Sequence, residues 1–256
     1  MRHVSVWRRP SSPSLPAGRQ GYEGHARLAQ LVEHSTDTRK VLGSIPRART
    51  TSRYTNPMSF KKYFPPFLLA AYLIEFVIAG IAPYSREVWY AENGPIFALV
   101  SIIVILYVRG VRFSNTAYAF MFVLPFWHTI GGHYTFERVP FDWFNHLFGF
   151  ERNMFDRVGH FVVGFYAIPV MEYLTSRKLV AKTWVATTYA IFAIAFHAVF
   201  YEWIEWWFAV YNAGDAASAA FLGSQGDVWD AQKDMLMDVC GAIVSVFGYL
   251  VCKTKN

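Results

Sequence analysis

The sequence predicts an all-α, polytopic membrane helical bundle of six transmembrane helices with both termini cytoplasmic, and three observations predict it. Of the 256 residues, 54% are hydrophobic and only 16% charged, against roughly 25% charged in a soluble domain. Six apolar runs approach the roughly 20 residues that cross a bilayer core. None alternates with the period of two that a membrane strand requires, and backbone in lipid must satisfy its own hydrogen bonds, so the runs are helices.

The leader, residues 1–57, comes first and differs from the rest. It carries ten Lys or Arg and three acids, whereas the remainder carries fourteen and fifteen. The overall charge of +6 therefore belongs to the leader, and the body offers no electrostatic reason for a nucleic-acid partner. The leader has no apolar run long enough for a signal peptide. Through the genetic code, Ala29-Gln30-Leu31-Val32-Glu33-His34 can be written GCTCAGTTGGTAGAGCAT, like the D-arm of a transfer RNA gene. Gly43-Ser44-Ile45-Pro46 can be written GGTTCGATTCC, like its T-arm, at a matching spacing. A misannotated start is expected, with translation beginning at Met58 and residues 58–256 forming the six-helix domain; the alternative is a disordered basic tail.

The runs follow in order: Pro65 to Ala82, Pro95 to Val108, Phe113 to Ile130, Val158 to Leu174, Trp184 to about Trp207, and about Met235 to Val251. The second is short, and the flank from Trp89 to Gly94 is expected to complete it. Lys61, Lys62, Arg109, Arg112, Arg177, Lys178, Lys182, Lys253 and Lys255 occupy short segments on one side. The five remaining cations are spread over longer loops on the other, so the first side is cytoplasmic. Trp89, Trp127, Trp143, Trp203, Trp206, Trp207 and Trp229 gather at the opposite face, where most should be interfacial anchors. Cys240 and Cys252 would stand roughly 18 Å apart on one helix and cannot bridge each other.

Orientation turns the polar residues into a pattern. All five histidines of the body fall in outward loops or outward helix halves, and the carboxylates follow them. His160, His197, Glu202, Asp234 and Asp238 intrude into apolar runs, at about 2.5–3.5 kcal/mol per charged group at a helix centre, and so need partners or a wet cavity. Asp156 and His160 share one helix face, His197, Tyr201 and Glu205 a second, and Asp230, Asp234 and Asp238 a third. If the rows meet, His133, His160, His197, Asp234 and Asp238 are candidate ligands of a divalent metal ion. Glu202, Glu205, Asp156 and Arg157 are then the catalytic candidates, with Glu202 or Glu205 as general base. The alternative is a polar plug in which the rows pair with Arg138, Arg152 and Arg157. Glu75, mid-helix, should face the bundle and find Tyr or Arg, or belong to a proton or ion path, and Glu172 should meet Arg177 or Arg112. Gly223 to Gly226 is too short for a phosphate loop, and Glu202 to Glu205 lacks the order of a zinc protease helix.

The runs Gly131-Gly132-His133-Tyr134-Thr135, Arg152-Asn153-Met154-Phe155-Asp156-Arg157-Val158-Gly159-His160-Phe161, Tyr201-Glu202-Trp203-Ile204-Glu205-Trp206-Trp207 and Phe221-Leu222-Gly223-Ser224-Gln225-Gly226-Asp227-Val228-Trp229-Asp230 together resemble the bacterial inner-membrane YjdF family. The resemblance covers Met58 to the C terminus. It implies an inner-membrane, multi-pass topology and says little about chemistry. A shorter skeleton is similar to VanZ-like membrane proteins: Asp156, Arg157, His160 and Phe161 opening one helix, Glu202 or Glu205 in the next, and Asp234, Asp238 and Gly241 in the last.

Two function classes follow. An enzyme would open its site to the outer leaflet and act on lipid head groups or envelope precursors, with the bilayer as its partner. A small transporter or ion or proton conductor would continue polar groups toward the cytoplasm. The inner halves of helices two, three, five and six are almost purely apolar, with only Glu75 and Glu172 below the cluster, which favours the one-sided site.

Overall fold

The computed structural model describes residues 57–211 and 224–254; the leader expectation lies outside them. All six expected runs are helical, and among the described residues there is no strand. The helices are α1 (Pro57–Ala79), α2 (Arg86–Val108), α3 (Asn115–Tyr134), α4 (Asp142–Phe148), α5 (Phe155–Val163), α6 (Ala167–Ser176), α7 (Thr183–Tyr211) and α8 (Asp230–Thr254). A 3-10 turn over Gly164–Tyr166 joins α5 to α6, so the fourth run is one rod with a local tightening rather than a continuous α-helix.

The short second run is completed from its N-terminal side, as its flank suggested. Ser85 caps α2, its hydroxyl accepting the Val88 amide at 3.3 Å, and Pro95 lies inside the helix. Ser114 caps α3 in the same way through Ala117 N at 3.0 Å.

Among the described residues, five segments are long and apolar enough to cross a membrane: Lys62–Ala79, Arg86–Val108, Phe155–Ser176, Thr183–Tyr211 and Asp230–Lys253. The sixth expected span, α3, reaches about 30 Å at 1.5 Å per residue but falls outside that set. Its sequence carries Tyr118, Trp127, His128, Thr129 and His133 among its apolar residues. The packing supplies a reason: α3 lies against α1, α2, α5 and α6, and eight of its residues, from Ala117 to Gly132, are buried. A helix wrapped by other helices meets protein rather than lipid and can hold polar groups that lipid would exclude.

The outside of the bundle is apolar. Phe67, Ile74 and Val77 of α1, Phe192 and Phe196 of α7, and Val244 and Phe247 of α8 all project outward, as a lipid-facing surface does. Five of the seven expected belt tryptophans, Trp143, Trp203, Trp206, Trp207 and Trp229, are exposed. The other two turn inward: Trp89 is buried and packs on Phe76, and the half-buried Trp127 stacks on Phe155 at 4.2 Å while donating to its carbonyl. One half of the interior is closed by small residues, Ala117, Ala167, Ala186, Ala190 and Ala242, around Ile168, Met171 and Val246, a composition that lets helix backbones approach closely.

The segment between α3 and α5 is packed rather than solvated. Phe136, Val139, Phe141 and Phe155 form its own core with Trp127 and Phe144. Asn153 ties it down, donating to the carbonyls of Glu137 and Val139 at 3.0 and 2.8 Å.

Candidate functional site

The site starts from the contact of α5 and its following turn with α8. A Cβ on Gly241 would stand 1.9 Å from the Phe161 carbonyl oxygen, and one on Gly164 would stand 2.2 Å from the Ala242 nitrogen. Only glycine permits this approach. Ser245 donates to the Gly164 carbonyl at 3.3 Å in the same crossing. With the backbones so near, the faces one and two turns outward must also meet: Asp156, Arg157 and His160 on α5 oppose Asp230, Asp234 and Asp238 on α8.

Arg157 is buried at the centre of this contact, its side chain 5% exposed. Its guanidinium hydrogen-bonds Asp230 and stands 2.8 Å from Asp234 Oδ1 through Nε. Arg152 reaches the same Asp230 oxygen at 2.5 Å and Asp227 at 3.5 Å. Lys233 holds Asp227 from the solvent side at 2.6 Å, and that hydrogen bond keeps the Asp227 carboxyl below the usual range. The plug expectation thus describes part of the arrangement. Of its three arginines two take part, while Arg138 instead pairs with Glu137 and lies over the Tyr84 ring.

His160 begins the other part. Its Nδ1 faces Asp238 Oδ2 at 3.3 Å, and its Nε2 stands 3.8 Å from Asp156 Oδ1 and 4.0 Å from Asp234 Oδ1. One ligand atom each from Asp156, His160 and Asp234 lies within 4.8 Å of the other two. Asp238 beneath the ring would fix its tautomer and orientation, as carboxylates do for metal-binding histidines.

Asp156, His160 and Asp238 open on a cavity of about 140 Å³, while Asp234 is not on its wall. The three line it with His197, Tyr201 and Glu205 of α7, so the first two rows seen in the sequence and one member of the third share one space. Glu202, the other proposed base, is not on the wall but lies within electrostatic reach of His160 and Asp234. Arg157 is also off the wall, turned away toward α8. His133 does not join the group: its Nδ1 sits 2.6 Å from the Ala79 carbonyl, beside Glu75 in a separate hollow.

Two wall residues escaped the sequence reading, Glu92 of α2 and His128 of α3. Glu92 Oε2 and His128 Nε2 are 3.6 Å apart, and Gly132, where a Cβ would come within 3.3 Å of Glu92 Cβ, lets α2 approach. The available signal was an imidazole in an apolar run and a carboxylate in the flank of another. Glu92 was read as flank, and His128 as one outward histidine among five.

Two other expectations are corrected. Glu172 meets neither Arg177 nor Arg112; it accepts from Ser114 N at 2.9 Å and Ser114 Oγ at 2.5 Å and from the Tyr249 hydroxyl, tying α6 and α8 to the cap of α3. Glu75 finds no hydrogen-bond partner among the described residues for either carboxylate oxygen.

The charge balance is the chemical fact of the site. Glu92, Asp156, Glu202, Glu205, Asp227, Asp230, Asp234 and Asp238 gather in or beside it, and the fixed cations against them are Arg152, Arg157 and Lys233. Protonating His128, His160 and His197 would still leave acids in excess. Buried carboxylates without cationic partners must hold protons or bind a cation.

Comparison with known proteins agrees with this membrane reading. Residues 64–254 match the family described as "Predicted membrane protein (DUF2238)". The chain is 30% identical over 178 residues to the Inner membrane protein YjdF of Escherichia coli (strain K12), covering 66% of this chain and 81% of that protein. The VanZ-like skeleton is not addressed by either match. No solved structure matches.

Proposed function

The chain belongs to the DUF2238 family of predicted membrane proteins, and on that premise we propose that it is a multi-pass inner-membrane enzyme with a divalent metal ion in the His160 cavity. The substrates are lipid head groups or lipid-linked envelope precursors at the outer leaflet. One observation carries the reading: ligand atoms of Asp156, His160 and Asp234 converge within 4.8 Å, with Asp238 behind His160. The donor set of one imidazole and carboxylate oxygens suits a borderline or hard divalent ion, and neutral His with ionised Asp balances its charge.

The cavity wall supports an amphipathic substrate. Its polar end, at Asp156, His160 and Glu205, passes into Ile96, Leu99, Leu124 and Val163, which suit an apolar chain better than water. A bound divalent ion supplies Lewis acidity and a water of lowered pKa. Glu205, on the wall, would serve as the general base, with Glu202 as the other candidate; Arg157 holds Asp234 and Asp230 in position. Outer sidedness is supported by the cation count of the loops. The transporter alternative draws no comparable support, because a second cavity walled by the far ends of α1, α2 and α3, from Pro65 to Tyr107 and Tyr118, is almost wholly apolar.

Elemental analysis of the full chain purified in detergent tests the reading. A divalent ion should co-purify, a chelator should remove it and lower the melting temperature, and His160→Ala should abolish binding. Protein that carries no ion, gains none on titration with Zn2+ or Mn2+ and ignores chelator would overturn it.

A further inference from the structure

We infer that the apolar cavity between α1, α2 and α3, at the end of the bundle away from His160, seats an anionic phospholipid, with part of its acyl chain between the helices and its phosphate on Arg112. The site is separate from the His160 cavity and needs no metal ion.

α1 and α2 each pack along α3. They touch one another where Phe76 meets Trp89, at 5.4 Å between ring centroids. Between their opposite ends is a space of about 140 Å³, walled by Pro66 and Leu69 of α1, Val104 and Tyr107 of α2, and Met121 and Phe122 of α3. No charged side chain is on this wall. Water finds too few polar partners in such a space, and engineered apolar cavities of about 150 Å³ stay dry and take benzene. By that measure it holds roughly six carbons of a chain. Pro66 on the wall is exposed, as are Phe67 and Ile105 beside it on α1 and α2, so the space opens on the lipid-facing surface of the bundle. In a bilayer the apolar guest at that surface is an acyl chain.

Arg112 sets the charge of the lipid. Its guanidinium lies 3.8 Å from the ring of the wall residue Tyr107, and one of its nitrogens donates to the Tyr107 and Val111 carbonyls. A guanidinium has five N–H donors, so others remain for a phosphate, whose geometry it matches. No carboxylate of the protein competes for it. Residues 58–74 and 93–136 contain neither Asp nor Glu, and Glu172 is taken by Ser114 and Tyr249. Lys62 and Arg109, at the same end of the helices, are exposed and add to the positive potential. Basic pockets between spanning helices on the cytoplasmic side are where anionic head groups bind, and the cation count of the loops supports that side for this end.

Native mass spectrometry of the full chain in detergent, titrated with phosphatidylglycerol or with phosphatidylcholine of identical chains, tests this. Phosphatidylglycerol should bind about fivefold more tightly or better, and Arg112→Ala should remove about fivefold of that preference, the share of one basic residue at a charged surface. Val104→Phe, which fills the cavity, should weaken both lipids, whereas His160→Ala should bind them as wild type does, so the two sites are read apart. Should a variant misfold, phosphatidylglycerol with a diazirine on the chain carbons nearest its head group should crosslink to Leu69, Val104 or Met121 of the wild type. Equal affinity for the two lipids, a preference that survives Arg112→Ala, or crosslinks confined to other faces of the bundle would overturn the lipid site. Glycerol phosphate that displaces the lipid at equal concentration would overturn it as well, leaving only an anion site on Arg112.

Discussion

His160 and Asp238 face each other across the crossing of α5 and α8, Nδ1 to Oδ2 at 3.3 Å, and this leaves Nε2 as the nitrogen that looks toward Asp156 and Asp234. On the proposed reading Asp238 acts through His160, as a positioning residue. Its side chain is 2% exposed. The geometry separates two kinds of damage.

Asp238→Asn can still accept a proton from Nδ1 through its amide oxygen, but without the charge that raises the basicity of the ring. It should bind metal about 10–100-fold more weakly than wild type while folding normally. His160→Ala should bind none. Isothermal titration with Zn2+ measures both, and an Asp238→Asn variant with unchanged affinity would show that the 3.3 Å contact is only packing.

Arg157 predicts the opposite pattern. Arg157→Ala leaves Asp230 and Asp234 buried beside one remaining arginine, at a cost of about 3–5 kcal/mol, and should reduce expression and melting temperature. Adding Asp230→Asn and Asp234→Asn should recover most of that stability without recovering metal binding. Recovery of both would mean that Asp234 is no ligand.

The helix crossing makes a steric prediction. Gly164→Ala and Gly241→Ala each drive a methyl group into backbone of the facing helix, at 2.2 and 1.9 Å, and overpacking of this kind costs about 1–3 kcal/mol or more. Both should lower the melting temperature and metal occupancy together. Gly248→Ala, on the same α8 with nothing within 4 Å, should be neutral or slightly stabilising.

Sidedness has its own test. Reporter fusions after Arg112, Lys182 and Lys255 should report cytoplasm, and fusions near Asn145 and Gly223 the exterior. If α3 does not cross the bilayer, the fusions on the two sides of it will report the same compartment. The site would then have to be placed anew.

Much of the bundle was legible in the sequence, because an apolar run long enough to span lipid has few alternatives to a helix. The same physics made Asp156, His160, His197, Glu205, Asp234 and Asp238 conspicuous: a polar group in an apolar run costs free energy, and the i, i+4 spacing puts its partners on one face. Periodicity also showed that α8 carries a row of three aspartates. What it could not show is that Asp230 and Asp234 turn to Arg152 and Arg157 while Asp238 turns to His160, since that division depends on which helix faces α8. The Gly164 and Gly241 contact decides it, through backbone sterics between residues far apart in the chain. The same holds for Glu92 and His128, which no local pattern links, and for His133, which the end of α1 captures through the Ala79 carbonyl. Sequence determines which side chains are costly to bury in this chain; only the packing of the helices determines which of them meet.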